Sequence, residues 1–211
     1  MKKGLISAAF AVLTACSGGS DRPPSLPPSA SAATAWVIGP IIDGENYSKG
    51  TPLHPISTDD GFAVPVSPTA QPHYVTYHNG SLLGKHTISM RFRVEGDSEI
   101  IPVTGVPGSP AILSLYIQRK GDDWSGTGKY EGYRWYSTYN AVVGLKQGEY
   151  SVTSTFDGAW TSVQDGSGDS FANAWNNADN VGFVLGGGTG YGHGIYATGN
   201  VRIVVTEFKV S

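Results

Sequence analysis

The stretch Thr87-Ile88-Ser89-Met90-Arg91-Phe92-Arg93-Val94 decides the class of fold. Apolar side chains at 88, 90, 92 and 94 alternate with polar ones at 87, 89, 91 and 93. That period of two turns one face of an extended chain to a core and the other to water. The same reading extends to Leu113, Leu115 and Ile117 against Ser114, Tyr116 and Gln118, and to Tyr150, Val152, Ser154 and Phe156 against Ser151, Thr153 and Thr155. The run Val201–Val210 is β-branched and nearly continuous, as expected of a central strand covered on both sides over part of its length. Further strands are expected near 36–42, 61–66, 73–77, 131–138 and 181–185. One short helix is expected near 170–177, with Asp169 as its cap and Phe171, Ala174 and Trp175 on one face.

Composition agrees with many short strands joined by tight turns. Glycine makes up 29 of 211 residues, against an average of roughly 7%. With 39% hydrophobic residues the chain has enough apolar material for one core. The expectation is an all-β domain over 36–211, an antiparallel two-sheet sandwich of jelly-roll type, with no internal repeat.

The first 35 residues read differently. Lys2 and Lys3 precede an apolar run from Gly4 to Ala15, too short to span a membrane and shaped like a secretory signal. The run ends in Leu13-Thr14-Ala15-Cys16, which resembles the lipobox of bacterial lipoproteins. The resemblance implies cleavage after residue 15, a diacylglycerol thioether on Cys16 and acylation of the new amino group. Ser17 after the cysteine is similar to the outer-membrane sorting class, so the expected location is the bacterial envelope, at the outer membrane. Cys16 is the only cysteine, which excludes a disulfide within the chain. Residues 16–35, with Pro23, Pro24, Pro27 and Pro28, read as a tether about 50 Å long where extended. Without residues 1–15 the side-chain charge falls from −3 to −5, and no basic cluster marks a nucleic-acid partner.

Over 85–211 the pattern diffusely resembles the jelly-roll, galactose-binding-like and carbohydrate-binding modules of secreted bacterial proteins. The likeness is carried by Leu113-Ser114-Leu115-Tyr116, Tyr133-Arg134-Trp135-Tyr136, Gly148–Val152, Val181–Gly187 and the closing strand. It implies a module that binds a carbohydrate or another polar ligand. The residues point the same way on their own. Trp124, Tyr130, Tyr133, Trp135, Tyr136 and Tyr139 crowd one glycine-punctuated segment. A strand over 131–138 would face Tyr133 and Trp135 one way and Arg134 and Tyr136 the other, so one set of rings must lie outside the core or under a loop. Rings beside planar polar groups make a sugar site, because a pyranose stacks its apolar face on the ring while its hydroxyls bond the polar groups. The candidate ligand residues are Trp124, Tyr133, Arg134, Trp135 and Tyr136, together with Tyr191 and His193 on the glycine-rich stretch 186–194. The competing reading buries these rings as ordinary core in a structural or protein-interaction lipoprotein.

Signals for catalysis are absent. There is no Gly-x-Ser-x-Gly elbow, His-Glu-x-x-His pair, phosphate-loop lysine or zinc spacing. Glu131, Glu149 and Asp157 have no spacing that marks a glycosidase pair. His54, His73, His78 and His86 read as hydrogen-bonded or exposed. No cofactor is expected. Asp122 and Asp123, or Asp165 and Asp169, sit where they would supply oxygens to a structural calcium, although turn chemistry accounts for both pairs without a metal.

Overall fold

The computed structural model describes residues 33–104, 108–138, 141–164, 168–187 and 192–211. Its first strands are β1 (Trp36–Gly39), β2 (Ile41–Ile42), β3 (Glu45–Asn46), β4 (Ile56–Thr58), β5 (Gly61–Val66) and β6 (Tyr74–His78). The middle of the chain adds β7 (Thr87–Glu95), β8 (Ile100–Pro102), β9 (Ala111–Arg119), β10 (Arg134–Ser137) and β11 (Val142–Gly144). It closes with β12 (Gly148–Thr155), β13 (Trp160–Ser162), helix α1 (Gly168–Asn176), β14 (Ala178–Gly187), β15 (Ile195–Ala197) and β16 (Val201–Val210).

Two main antiparallel sheets result, beside two small two-stranded ones, β15-β8 and β2-β3. One has seven strands in the order β1-β6-β14-β9-β10-β13, with β11 also paired to β9; the other has five, β12-β7-β16-β5-β4. The chain passes repeatedly from one sheet to the other, so neighbours within a sheet are mostly distant in sequence. The fold is the expected all-β, two-sheet sandwich with one short helix. Among the described residues no helix is long and apolar enough to cross a membrane.

The alternation read from sequence is what packs the sheets together. Ile88, Met90, Phe92 and Val94 of β7 and Leu113, Leu115 and Ile117 of β9 are all buried in one core. Trp36 stands at its centre and joins both layers. Its ring lies 4.9 Å from Phe62 and 5.0 Å from Phe208 of one sheet, and 5.3 Å from Tyr77 and 6.3 Å from Phe183 of the other. Phe171, Ala174 and Trp175 of α1 are buried on one face as expected. Trp175 Nε1 donates to the carbonyls of Leu82 and Lys85.

Several boundaries differ from the sequence reading. The expected strand over 36–42 is divided at Pro40, which has no N–H to give to a ladder. The helix starts at Gly168, so Asp169 lies inside it rather than before it as a cap. The expected strand 131–138 is reduced to Arg134–Ser137, because Gly128–Tyr130 forms a 3-10 turn that runs into it. Strand β14 is longer than expected and carries a bulge at Asp179, where the register with β9 slips by one residue. Ala178 faces the core before the bulge, and Val181, Phe183 and Leu185 face it afterwards.

Candidate functional site

The even-numbered side chains of β9 point away from the core, onto the outer face of the seven-stranded sheet. Register lines them up with partners on the neighbouring strands. One cross-strand ladder runs His78, Asn180, Gln118, Arg134, and the next runs Thr76, Gly182, Tyr116, Tyr136. Gly182 is required there, since a Cβ would drive into the Val75 carbonyl oxygen and press on the Tyr116 ring at 3.1 Å. With that space open, the Tyr116 hydroxyl reaches Thr76 Oγ1. Tyr74 packs edge-on to Tyr116 at 5.1 Å, and its hydroxyl bonds that of Tyr136 at 2.7 Å. Tyr74, Tyr116, Tyr136 and Val184 thus form a second, smaller apolar layer outside the sheet. Burial pushes all three phenols above their ordinary value, so the layer stays uncharged.

Trp124 covers this layer, edge-on to Tyr74 at 5.0 Å. Its backbone is left-handed, with φ 66°, a conformation that costs a bulky residue about 1–2 kcal/mol. A buried ion pair holds it there. Asp122 Oδ1 accepts from the Trp124 N–H at 3.3 Å, and Arg134 Nη2 donates to the Trp124 carbonyl at 3.0 Å. Arg134 Nη1 lies 3.4 Å from Asp122 Oδ2, with 6% and 1% of the two side chains exposed. The same guanidinium sits 4.9 Å from the indole centroid. Asp122 also accepts from Gln118 Nε2 at 2.8 Å, and Gln118 Oε1 accepts from Asn180 Nδ2 at 2.9 Å.

Beside Trp124 the face opens into a groove of about 290 Å³. Thr76, Gln118 and Asn180 line its floor; Val37, Pro40 and Ile41, from the edge strand β1 and the residues after it, form an apolar wall. Ile41 is 42% exposed and Trp124 half-buried, so both present apolar surface to a ligand. A larger hollow of about 550 Å³ lies against β8 and the turn before it, but no aromatic ring is among its described lining residues. Another, of about 540 Å³ on the five-stranded sheet, has Tyr150 on its lining but surrounds it with Asp60, Arg91, Arg93 and Glu149. The groove beside Trp124 is therefore the candidate site, because among these hollows of the described residues it is the one where a ring meets planar amides.

The residues singled out from sequence disperse. Trp124 borders the groove, and Arg134 is buried behind it. Tyr136 points to the same face but lies under the tyrosine layer, 2% exposed. Trp135 is a correction: it faces inward, 3% exposed, edge-on to Phe171 at 5.2 Å, because it is the odd neighbour of two outward residues on β10. Tyr133 is half-buried, its ring engaged by Arg119 at 4.5 Å and by Tyr130 at 5.0 Å, and is not among the residues that line the groove. His193 is exposed near His73 and is not among the residues that line the groove. Tyr191, Tyr139, Asp165 and Cys16 lie outside the described residues, as does the side chain of Asp169. Asp122 spends its carboxylate on Arg134, Gln118 and Trp124, and Asp123 closes a turn onto the Ser125 N–H at 2.9 Å. Among the described residues no three His, Cys, Asp or Glu side chains are grouped to hold a metal ion.

Thr76, Asn180, Ile41 and Val37 were not singled out from sequence. The one signal for them was Asn180, a planar polar residue at the start of an otherwise apolar strand.

No family model and no curated protein matches the chain. Two solved structures resemble it in outline. A mutant of Xylanase10C from Cellvibrio japonicus in complex with xylopentaose is 16% identical with a TM-score of 0.40, over 85% of this chain and 27% of that one. A xylan-binding module, CBM15, is 14% identical with a TM-score of 0.36, over 82% of this chain and 92% of that one. The chain thus spans about a quarter of the xylanase's length. Neither likeness transfers a residue's role.

Proposed function

We propose that the chain is a glycan-binding module tethered through lipid on Cys16 to a bacterial outer membrane. The observation that carries the binding reading is Trp124. A half-buried indole in a strained backbone conformation, clamped by a buried Asp122–Arg134 pair, is an expensive way to cover a tyrosine layer that a leucine would cover as well. Strain held in place by a dedicated network belongs to sites that must keep a geometry for a ligand. The ring supplies the stacking surface, and the Asn180 and Gln118 amides with the Thr76 hydroxyl supply partners for sugar hydroxyls. The tether reading is supported by Leu13-Thr14-Ala15-Cys16 and the proline-rich stretch after it.

The test is affinity electrophoresis of the full chain, solubilised in detergent, through gels containing soluble polysaccharides. Retardation by at least one polysaccharide is expected, together with its loss in Trp124→Ala while Trp135→Phe keeps it. No retardation in any gel would overturn the reading. For the tether, palmitate labelling in a bacterial host should mark the chain and disappear in Cys16→Ser; unchanged labelling would refute the assignment.

A further inference from the structure

We infer that the groove selects an uncharged glycan and rejects its carboxylated counterparts; this rests on the glycan reading above. Fixed charge lies behind the groove but is cancelled before it reaches the ligand. The Arg134 guanidinium meets the Asp122 carboxylate, the Trp124 carbonyl and the Trp124 ring, and its buried Nε has no hydrogen-bond partner. The Asp122 carboxylate is taken up in turn by Arg134, the Trp124 N–H and the Gln118 amide. Gln118 is 4% exposed and passes the chain of hydrogen bonds to Asn180. What the network presents to the groove is therefore a neutral amide, polarised from behind but carrying no net charge.

The two remaining charges on the lining are opposite in sign and engaged elsewhere. Asp179, pushed out by the bulge in β14, lies 3.5 Å from His78, and Arg119 stacks on Tyr133 at 4.5 Å. A uronate or sulfate entering the groove would lose its hydration to a described lining without net positive charge, where Asp179 offsets Arg119 and Arg119 is held on the Tyr133 ring, a large penalty for an ionised group. A neutral sugar faces no such loss, since its hydroxyls exchange water for amides and its apolar face covers indole.

The experiment uses pairs that share a backbone: hydroxyethyl-cellulose against carboxymethyl-cellulose, and fully methyl-esterified pectin against its de-esterified form. They are added to the same gel assay together with the polysaccharide that best retards the chain and its carboxylated derivative. The expected result is at least a tenfold preference for the neutral member of a retained pair, with less than a twofold change between 50 and 500 mM sodium chloride. An Asn180→Lys variant places a cation on the half-exposed floor and should narrow or reverse the preference. Equal or tighter binding of the carboxylated member by the unaltered chain, weakening with salt, would overturn the inference and leave the glycan reading intact. Retardation by neither class would overturn both.

Discussion

The outer faces of the two sheets are built on the same alternation and end up with opposite chemistry. On the five-stranded sheet Arg93 lies between Asp60 at 2.5 Å and Glu95 at 2.7 Å, Arg202 reaches Glu95, and Arg91 stands 3.6 Å from Glu207, all with substantial exposure. On the seven-stranded sheet the pair Arg134–Asp122 is sealed beneath Trp124. The difference lies in what covers them. Among the described residues no aromatic layer forms over the first face, and its ion pairs are solvated and contribute little each. On the second, the segment 121–126 folds back over Tyr74, Tyr116 and Tyr136, and the same kind of pair becomes a buried clamp whose partners depend on each other.

Breaking one member on each face separates the two cases most sharply. Arg134→Ala should cost about 3–5 kcal/mol in urea unfolding, because it strands a buried carboxylate and frees Trp124. A cost below about 1 kcal/mol would mean that the clamp is solvated like its counterparts across the sandwich. Acid should divide the faces next. Burial, with His193 and Lys49 nearby, lowers the pKa of His73 to about 4 from an ordinary 6.5. The unfolded chain therefore takes up the proton first. Stability from this group is full above about pH 6.5, declines as the pH falls towards 4 and is level below that. After allowance for its partial exposure the decline is about 2 kcal/mol, and His73→Phe should remove it. On the charged face, hydrogen bonds from Arg93 hold the Asp60 and Glu95 carboxyls below their ordinary range. Their small contribution should be lost only in more acidic solution, as the pH falls through those lowered values.

Within the covered face, Tyr136→Phe leaves the Tyr74 hydroxyl without its 2.7 Å partner and should cost about 1.5 kcal/mol by thermal unfolding. The same value for Tyr133→Phe would show that the layer is not what gives the hydroxyl its weight. The smallest effect is expected from Arg202→Ala, within about 0.5 kcal/mol and abolished by 0.5 M salt. A loss as large as that of Arg134→Ala would erase the contrast between the faces.

The strands were legible because burial on one side imposes a period that survives without context: Ile88 to Val94 and Leu113 to Ile117 face where their spacing says. The same rule separated Trp135 from Tyr136. It did not show which outward ring a loop would cover, since that depends on residues far apart in sequence. Gly182 opens room for Tyr116, Tyr74 arrives from another strand, and the left-handed turn at Trp124 is held by Arg134, ten residues on. The groove was less legible still. Its floor takes Thr76 and Asn180 from strands that meet only after the chain has crossed between sheets, and its apolar wall comes from the residues around Pro40.

The bulge at Asp179 ties the core and the groove to one reading frame. The bulge takes up that single extra position, so Ala178, Val181, Phe183 and Leu185 all face inward while Asn180 and Gly182 face outward. Deleting a residue from 181–187 would turn one of the two flanking segments inside out and set its inward residues against the wrong environment, whereas deleting residue 179 itself would leave Ala178 opposite Arg119 and Asn180 opposite Gln118 and only remove the bulge. For this strand, then, composition is the tolerant variable and length the intolerant one. Its history should show exchanged side chains long before it shows a gained or lost residue.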